Sequence, residues 1–321
     1  MPNLNNSFLK PRIVVTGALS YLGQHLWRAL KRDGWHPVAL VRDGSEERAR
    51  EADIPKGDLF TLPADPRIWT NFLTQLSPDA AIHLASINAS KNFADDDLFD
   101  IHLVNIHLPV CLAQALARSQ CTKKGSISSL ILAGSHWQTV DGKPHDPLDH
   151  YAASKQAAEE MLRPIAAEQA GVRVISLRLG DVYGPRDPRR KFLNLVVDAL
   201  SHDVVLQASP GMQGVDLVHI DDAVSSFIHA LKHSNKIGTG NVANYGVTSG
   251  NHMTLRDLVI TIEGLAARSC RIQWGAIPYR AREIFAPTPG ENLPGWKPSI
   301  SCMQGLKEIL KDRKVLRDGL D

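Results

Sequence analysis

Between Arg12 and Gly180 the chain alternates between short apolar runs and longer stretches whose apolar residues recur at helical spacing. "RIVVTG" (Arg12 to Gly17) is a β-branched run ending in a glycine turn. "GQHLWRALKRDG" then places Leu22, Leu26, Trp27 and Leu30 on one side of a helix that Gly34 closes. "HPVALVR" reads as a second strand, and "DAAIHLAS" supplies another at Ala80 to Leu84, followed by the helical pattern "LVNIHLPVCLAQALARS". "SSLILAGS", "YAASKQAAEEMLRPIAAEQAG" and "VRVISLRLG" repeat the strand, helix, strand rhythm. Such alternation predicts an α/β fold with a parallel, doubly wound sheet. The strands are continuous apolar runs, as in a sheet covered on both faces.

Beyond "YGPRDPRRK" (Tyr183 to Lys191) the rhythm changes. Pro185 and Pro188 interrupt the pattern, and "IPYRAREIFAPTPGENLPGWKPSIS" carries five prolines with little periodicity. The reading is a nucleotide-binding domain over 1–185 and a smaller, mainly substrate-binding lobe over 186–321. A strand near Asp216 to Ile220 is expected to return to the main sheet. A length of 321 residues suits this plan. Lysine plus arginine (36) nearly balance aspartate plus glutamate (34), so no basic field argues for nucleic acid. "MPNLNNSFLKPR" lacks the apolar core of a signal peptide, and no uninterrupted apolar run approaches the roughly 18 residues of a membrane span. The expected location is cytoplasmic, with no membrane partner. Cys111, Cys121, Cys270 and Cys302 form no CxxC pair and read as structural thiols of a reducing compartment.

"TGALSYLG" (Thr16 to Gly23) lies where the first strand gives way to the first helix. Gly17 and Gly23 have the spacing of the outer glycines of a Rossmann dinucleotide turn, the first for the tight bend and the last for close helix–strand packing. Ser20 holds the middle position, where its hydroxyl is expected to donate to a phosphate oxygen at the helix N-terminus. The second strand ends "VALVRD". Arg42 at its tip suits the 2′-phosphate of NADP(H), whereas Asp43 would bind the ribose of NAD(H); the expectation is NADP(H).

Tyr151 and Lys155 in "YAASK" are four apart on a helix, hence on one face. Acid–base work by a tyrosine near pH 7 asks for a pKa about three units below its ordinary value, roughly 4 kcal/mol. An ammonium one turn away supplies the required opposite charge. Ser135 ends the "LILAGS" strand, where ligands lie in open α/β sheets, and is placed to hydrogen-bond a carbonyl.

These motifs together with "LRLGDVYGP" resemble the extended short-chain dehydrogenase/reductase family, also called the NAD-dependent epimerase/dehydratase family, over nearly the whole chain. "GDL" (Gly57 to Leu59), "IHLAS" (Ile82 to Ser86), Asn105 and "DLVHIDDAV" (Asp216 to Val224) agree with it. The resemblance implies a catalytic triad of Ser135, Tyr151 and Lys155. It implies a cofactor site drawn from Gly17, Ser20, Tyr21, Leu22, Gly23, Arg42, Asp58, Leu59, Leu84, Ala85, Ser86 and Asn105 together with Tyr151 and Lys155. "GSHWQTVDG", "YGPRDPRRK", "SPGMQGVDLVHIDD" and "LPGWKPSIS" are most similar to reductases of nucleotide-linked 4-keto deoxysugars. Val215 stands where many sugar-nucleotide epimerases have an arginine. Arg282 in "YRARE" matches a second family arginine, with Arg189, Arg190 and Lys191 as other candidates for the substrate diphosphate. Trp137 either packs on the sugar or fills the lobe. The thirteen histidines have no metal-ligand spacing, so no metal is expected.

The function expected from the resemblance is NADP-dependent reduction of a nucleotide-sugar substrate. One alternative is a 4-epimerase that retains NAD. Another, outside catalysis, is a nucleotide-sensing regulator on the same fold. A 4,6-dehydratase is disfavoured, because His136 and Trp137 follow Ser135 where dehydratases carry Asp-Glu. Many members of the family dimerise through the helix bearing YxxxK, so a homodimer is the expectation.

Overall fold

The computed structural model describes residues 10–88, 95–120, 128–168, 171–237, 240–288 and 290–316. Strands follow as β1 (Arg12–Thr16), β2 (His36–Val41), β3 (Leu59–Thr61), β4 (Ala80–His83), β5 (Ser128–Ser135) and β6 (Val172–Leu179). After them come β7 (Asp181–Tyr183), β8 (Leu206–Ala208), β9 (Gly214–His219), β10 (Val242–Val247), β11 (His252–Thr254) and β12 (Ile272–Trp274). The first helices are α1 (Tyr21–Arg32), α2 (Glu46–Glu51), α3 (Trp69–Gln75), α4 (Asp95–Ile101) and α5 (Leu108–Gln120). They are followed by α6 (His150–Glu168), α7 (Phe192–His202), α8 (Ile220–His233), α9 (Leu255–Ala266) and α10 (Cys302–Asp312).

Seven strands form one sheet in the order β10-β6-β5-β4-β1-β2-β3. β1 pairs in parallel with β2 and β4, Val14 lying opposite Val38 and Ala81. Strand order reverses at β1, and the carboxyl ends of β1 and β4 at that reversal are where open α/β sheets bind ligands. β4 and β5 are buried along their whole length and β1 in all but its first residue, which explains their largely apolar sequence.

Two compact units divide the chain. The first is Met1–Leu132, Ala158–Ile175 and Ala230–Ala243; the second is Ala133–Ala157, Ser176–His229 and Asn244–Asp321. These units and the expected cut at 185/186 divide the chain differently. β5, β6, β10 and the helices α6 and α8 each run through a boundary, which no single cut in the sequence can follow. Val14, Leu73, Leu112, Leu116, Leu130 and Leu162 anchor the core of the first unit. Val196, Leu258, Ile262, Leu306 and Leu310 anchor that of the second.

The strand near 216–220 departs from expectation. β9 does not join the seven-stranded sheet but lies in a three-stranded one, parallel to β7 and antiparallel to β11. Gly180 causes the switch. It separates β6 from β7, and a Cβ there would stand 2.7 Å from the Asp216 carbonyl oxygen, so only glycine lets the two chains close. The added main-sheet strand is β10 instead.

Leu98–Ser119 forms 22 helical residues, and an 18-residue window within them has a mean hydropathy of 1.3, long and apolar enough to match a membrane span. Polar residues such as His102, Asn105 and Arg118 interrupt it, and Leu108, Leu112 and Leu116 are buried in the first unit's core. It has the character of a core helix. Cys111, Cys270 and Cys302 are free thiols; Cys121 lies outside the described residues.

Candidate active site

The first unit carries a groove of about 270 Å³ at the carboxyl ends of β1, β2 and β4. Its floor is largely main chain. Gly17 takes φ +69°, and a Cβ there would lie 2.6 Å from the Ala85 nitrogen. Gly23 sits against the same turn, where a Cβ would be 2.1 Å from the Gly17 oxygen. Both glycines are therefore demanded by backbone packing. Thr16 ties the strands together, its Oγ1 accepting from the Ala85 N–H at 3.2 Å and meeting His83 Nδ1 at 2.9 Å.

Ser20 is a different case. Its φ of −75° needs no glycine, and its Oγ accepts the Gly23 N–H at 3.0 Å, capping α1. Such a cap contributes about 1 kcal/mol relative to alanine. The hydroxyl proton is left for a second bond, and Ser20 is exposed in the groove.

Of the residues expected to bind cofactor, Gly17, Ser20, Arg42, Leu84, Ala85 and Ser86 line this groove. Tyr21, Leu22, Gly23, Asp58, Leu59 and Asn105 are not among its lining residues. Tyr21 stacks edge-on with His25, and Leu22 is buried. Asp58 is held by Lys31 at 2.7 Å and His36 at 2.9 Å. Burial raises its carboxyl pKa, but those two bonds outweigh it and leave the group below its ordinary value. Asn105, 1% exposed in a π-helical turn, accepts from the Ile87 N–H and donates to the Ile87 carbonyl at 2.8 and 2.9 Å. It fixes the loop after β4 and acts one step back from the groove. Sequence reading missed Ser45 and Arg48, which share the rim with Arg42. Asp43 is not in the lining. The signal was present in "RDGSEERAR", whose first helical turn brings Arg48 back toward Arg42.

In the second unit, β5 ends at Ser135. Ser135 caps the 3₁₀ turn His136–Gln138: its Oγ accepts the Trp137 N–H at 3.2 Å, and the Gln138 side chain accepts the Ser135 N–H at 2.9 Å. α6 begins beneath the Asp149 carboxylate, which accepts the Ala152 N–H at 2.9 Å. This helix places the Lys155 ammonium 5.7 Å from the centre of the Tyr151 ring. Lys155 is only 5% exposed. Trp137 meets the Tyr151 ring edge-on at 6.3 Å. An ammonium beside a phenol is the arrangement that favours proton donation near neutrality.

Two of the expected anion-binding arginines, Arg189 and Arg282, are engaged elsewhere, whereas Arg190 is exposed. Arg189 forms a 2.7 Å ion pair with buried Asp187 and donates to the Val182 carbonyl. Arg282 is paired with Asp146 and donates to the Pro147 carbonyl. Lys191 lies 3.7 Å from Asp181 and lines a small cavity with Val215. Burial pulls its ammonium below the ordinary lysine value despite the neighbouring carboxylate.

The chain is 26% identical to the CDP-abequose synthase of Salmonella typhimurium over 95% of this chain and 99% of that one. It is 26% identical to the UDP-glucose 4-epimerase of Mycolicibacterium smegmatis over 94% and 97% of the two chains. Among solved structures, MoeE5 in complex with UDP-glucuronic acid and NAD shares its fold, with TM-score 0.74, 19% identity and coverage of 94% and 99%. The model of the NAD dependent epimerase/dehydratase family matches residues 13–246. A glycine turn shaped by backbone packing, a buried lysine beside a tyrosine and a match over most of its length make this chain a member of that family.

Proposed function

We propose that the chain is an NADP-dependent reductase of a nucleotide-linked 4-keto deoxysugar, carried by a CDP or dTDP nucleotide. The observation that carries the reading is the Tyr151–Lys155 pair, a phenol with a buried ammonium 5.7 Å from its ring centre. Tyr151 Oη donates its proton to the carbonyl oxygen as negative charge develops there. Lys155 keeps the phenol acidic and holds the cofactor ribose. Ser135 keeps its hydroxyl proton for the same carbonyl oxygen, since its Oγ accepts from the Trp137 N–H.

The groove of the first unit fits a dinucleotide. Its glycine floor leaves no room for side chains, Ser20 opens a helix N-terminus, and Arg42, Ser45 and Arg48 form a cationic, hydrogen-bonding rim. A bound NADPH supplies the hydride for the carbonyl carbon. The rim favours NADP over NAD, because two guanidinium groups line it and Asp43 does not. For the substrate diphosphate, Arg189, Arg282 and Lys191 would each have to leave a carboxylate. The likeness to a CDP-abequose synthase supports reduction.

The likeness to a UDP-glucose 4-epimerase supports a second reading, in which the cofactor is retained and the sugar is inverted. Stoichiometry separates the two. Enzyme, NADPH and a CDP- or dTDP-linked 4-keto-6-deoxy or 3,6-dideoxy sugar should lose absorbance in step with alcohol formed, with no conversion without cofactor. Interconversion of UDP-glucose and UDP-galactose without added cofactor would replace the reductase by the epimerase.

A further inference from the structure

Hydride transfer does not by itself require the aromatic arrangement around Tyr151. Trp137 stands perpendicular to the Tyr151 ring at 6.3 Å, and the Arg280 guanidinium lies 5.1 Å from the centre of the same indole. Arg280 is exposed and has no ion pair among the described residues. The segment that carries it is strapped to the loop after Trp137. The Phe285 and Ala286 N–H groups donate to Asp141 Oδ1 at 3.3 and 3.2 Å, and the Thr139 hydroxyl donates to the Thr288 carbonyl at 3.0 Å. Arg282 adds its bonds to Asp146 and Pro147. Asp141 takes φ +49°, a left-handed conformation that persists only where the surroundings hold it. Trp137, Val140, Leu148, Ala152 and Ile284 form a small apolar cluster within this clasp.

We propose that Trp137 is a positioning residue for Tyr151: it keeps the phenol ring against Lys155, and Arg280 with its strap keeps Trp137 in place. The proposal rests on Tyr151 being the general acid. Tyr151 is half-exposed, and a side chain packed on the other side of its ring favours the rotamer beside Lys155. An edge-on aromatic pair and a cation–π contact each bias such a choice of rotamer severalfold. Were Trp137 only filler, its loss would lower stability without moving the titration of Tyr151. Lys155 lies over the ring, Asp149 and His150 precede Tyr151 in the chain, and His136 and Arg280 lie against Trp137.

The test follows the phenolate absorbance of the full chain with pH, each variant being paired with its Tyr151→Phe double so that the difference isolates Tyr151. Trp137→Leu should raise the Tyr151 titration by at least about half a unit, toward the free value near 10. Trp137→Phe should leave it in place, and Arg280→Gln should move it in the same direction by less. Tyr151 titrating as in the parent chain in both Trp137→Leu and Arg280→Gln would overturn the proposal, whatever happens to stability. Arg280 is exposed, so its variant carries the test alone if Trp137→Leu fails to fold. No substrate is needed, and the result therefore stands apart from the choice of sugar. A parent Tyr151 that titrates at the ordinary tyrosine value would instead overturn the general-acid reading on which the proposal rests.

Discussion

Replacing Arg42 and Arg48 by alanine, singly and together, tests the cofactor reading at its most exposed point. Both guanidinium groups line the rim of the groove, and both are open to solvent. A charge-assisted bond to a phosphate contributes about 1.5–3 kcal/mol when sheltered, and exposure reduces this to about 1–1.5 kcal/mol per arginine. Each single variant should then bind NADPH about 5–13-fold more weakly. If the two act independently, the double variant should lose about 30–160-fold. NADH has no 2′-phosphate, so its affinity should change by less than about twofold. Raising the salt concentration should shrink the NADPH loss, because exposed charges are screened over about 10 Å at 0.1 M. Isothermal titration of both cofactors at two ionic strengths reads all of these quantities. Equal weakening of NADH and NADPH would mean that the arginines only shape the groove. No weakening of either would remove the rim from the site and return the choice of cofactor to Asp43.

Tyr151→Phe should lower turnover by about 10²–10⁴-fold with NADPH affinity unchanged, measured by steady-state kinetics and titration; normal turnover would assign the proton to another group. Asp58 is held below its ordinary pKa by Lys31 and His36, so its contribution is present above about pH 3.9 and disappears as pH falls through its lowered folded value. Asp58→Asn should accordingly cost less than about 1 kcal/mol near neutrality, given the exposure of both partners, and melting curves of the two proteins should converge in acid. Persistent divergence there would mean that the loss is not ionic. Gly305→Ala should lower the melting temperature markedly, since its Cβ would stand 2.2 Å from the hydroxyl of buried Tyr183, an overpacking that costs about 1–3 kcal/mol. An unchanged melting temperature would show that α10 shifts freely.

How much of this was legible in the sequence depended on whether one local pattern decided the outcome. β1, β4 and β5 could be read because burial on both faces demands unbroken apolar residues. Tyr151 and Lys155 could be read because a helix fixes the relation of residues four apart. The pairing of β7 with β9 could not, although a strand near Asp216 to Ile220 was expected. "DVY" is too short to carry periodicity, and its partner is chosen by the close approach of Gly180 to Asp216, a contact between distant positions. β10 was hidden because "VANYGV" interrupts its apolar pattern with Asn244, Tyr245 and Gly246. Arg189 and Arg282 looked like free cations because sequence shows charge without showing the carboxylates that engage it.

The main-chain floor of the groove divides what can evolve there from what cannot. Gly17 and Gly23 close against backbone atoms, and Thr16 fastens β1 to the loop after β4. A side chain at Gly17 would push the turn after β1 from the loop after β4, and one at Gly23 would push α1 from that turn, so these positions are closed to adjustment by substitution. Arg42, Ser45 and Arg48 stand on the rim at the end of β2 and the start of α2, where replacements disturb little packing. On the proposed reading, exchanging one nicotinamide cofactor for the other is therefore a problem of Arg42, Ser45 and Arg48. On that reading, a library confined to them would retune cofactor choice while leaving the sheet untouched.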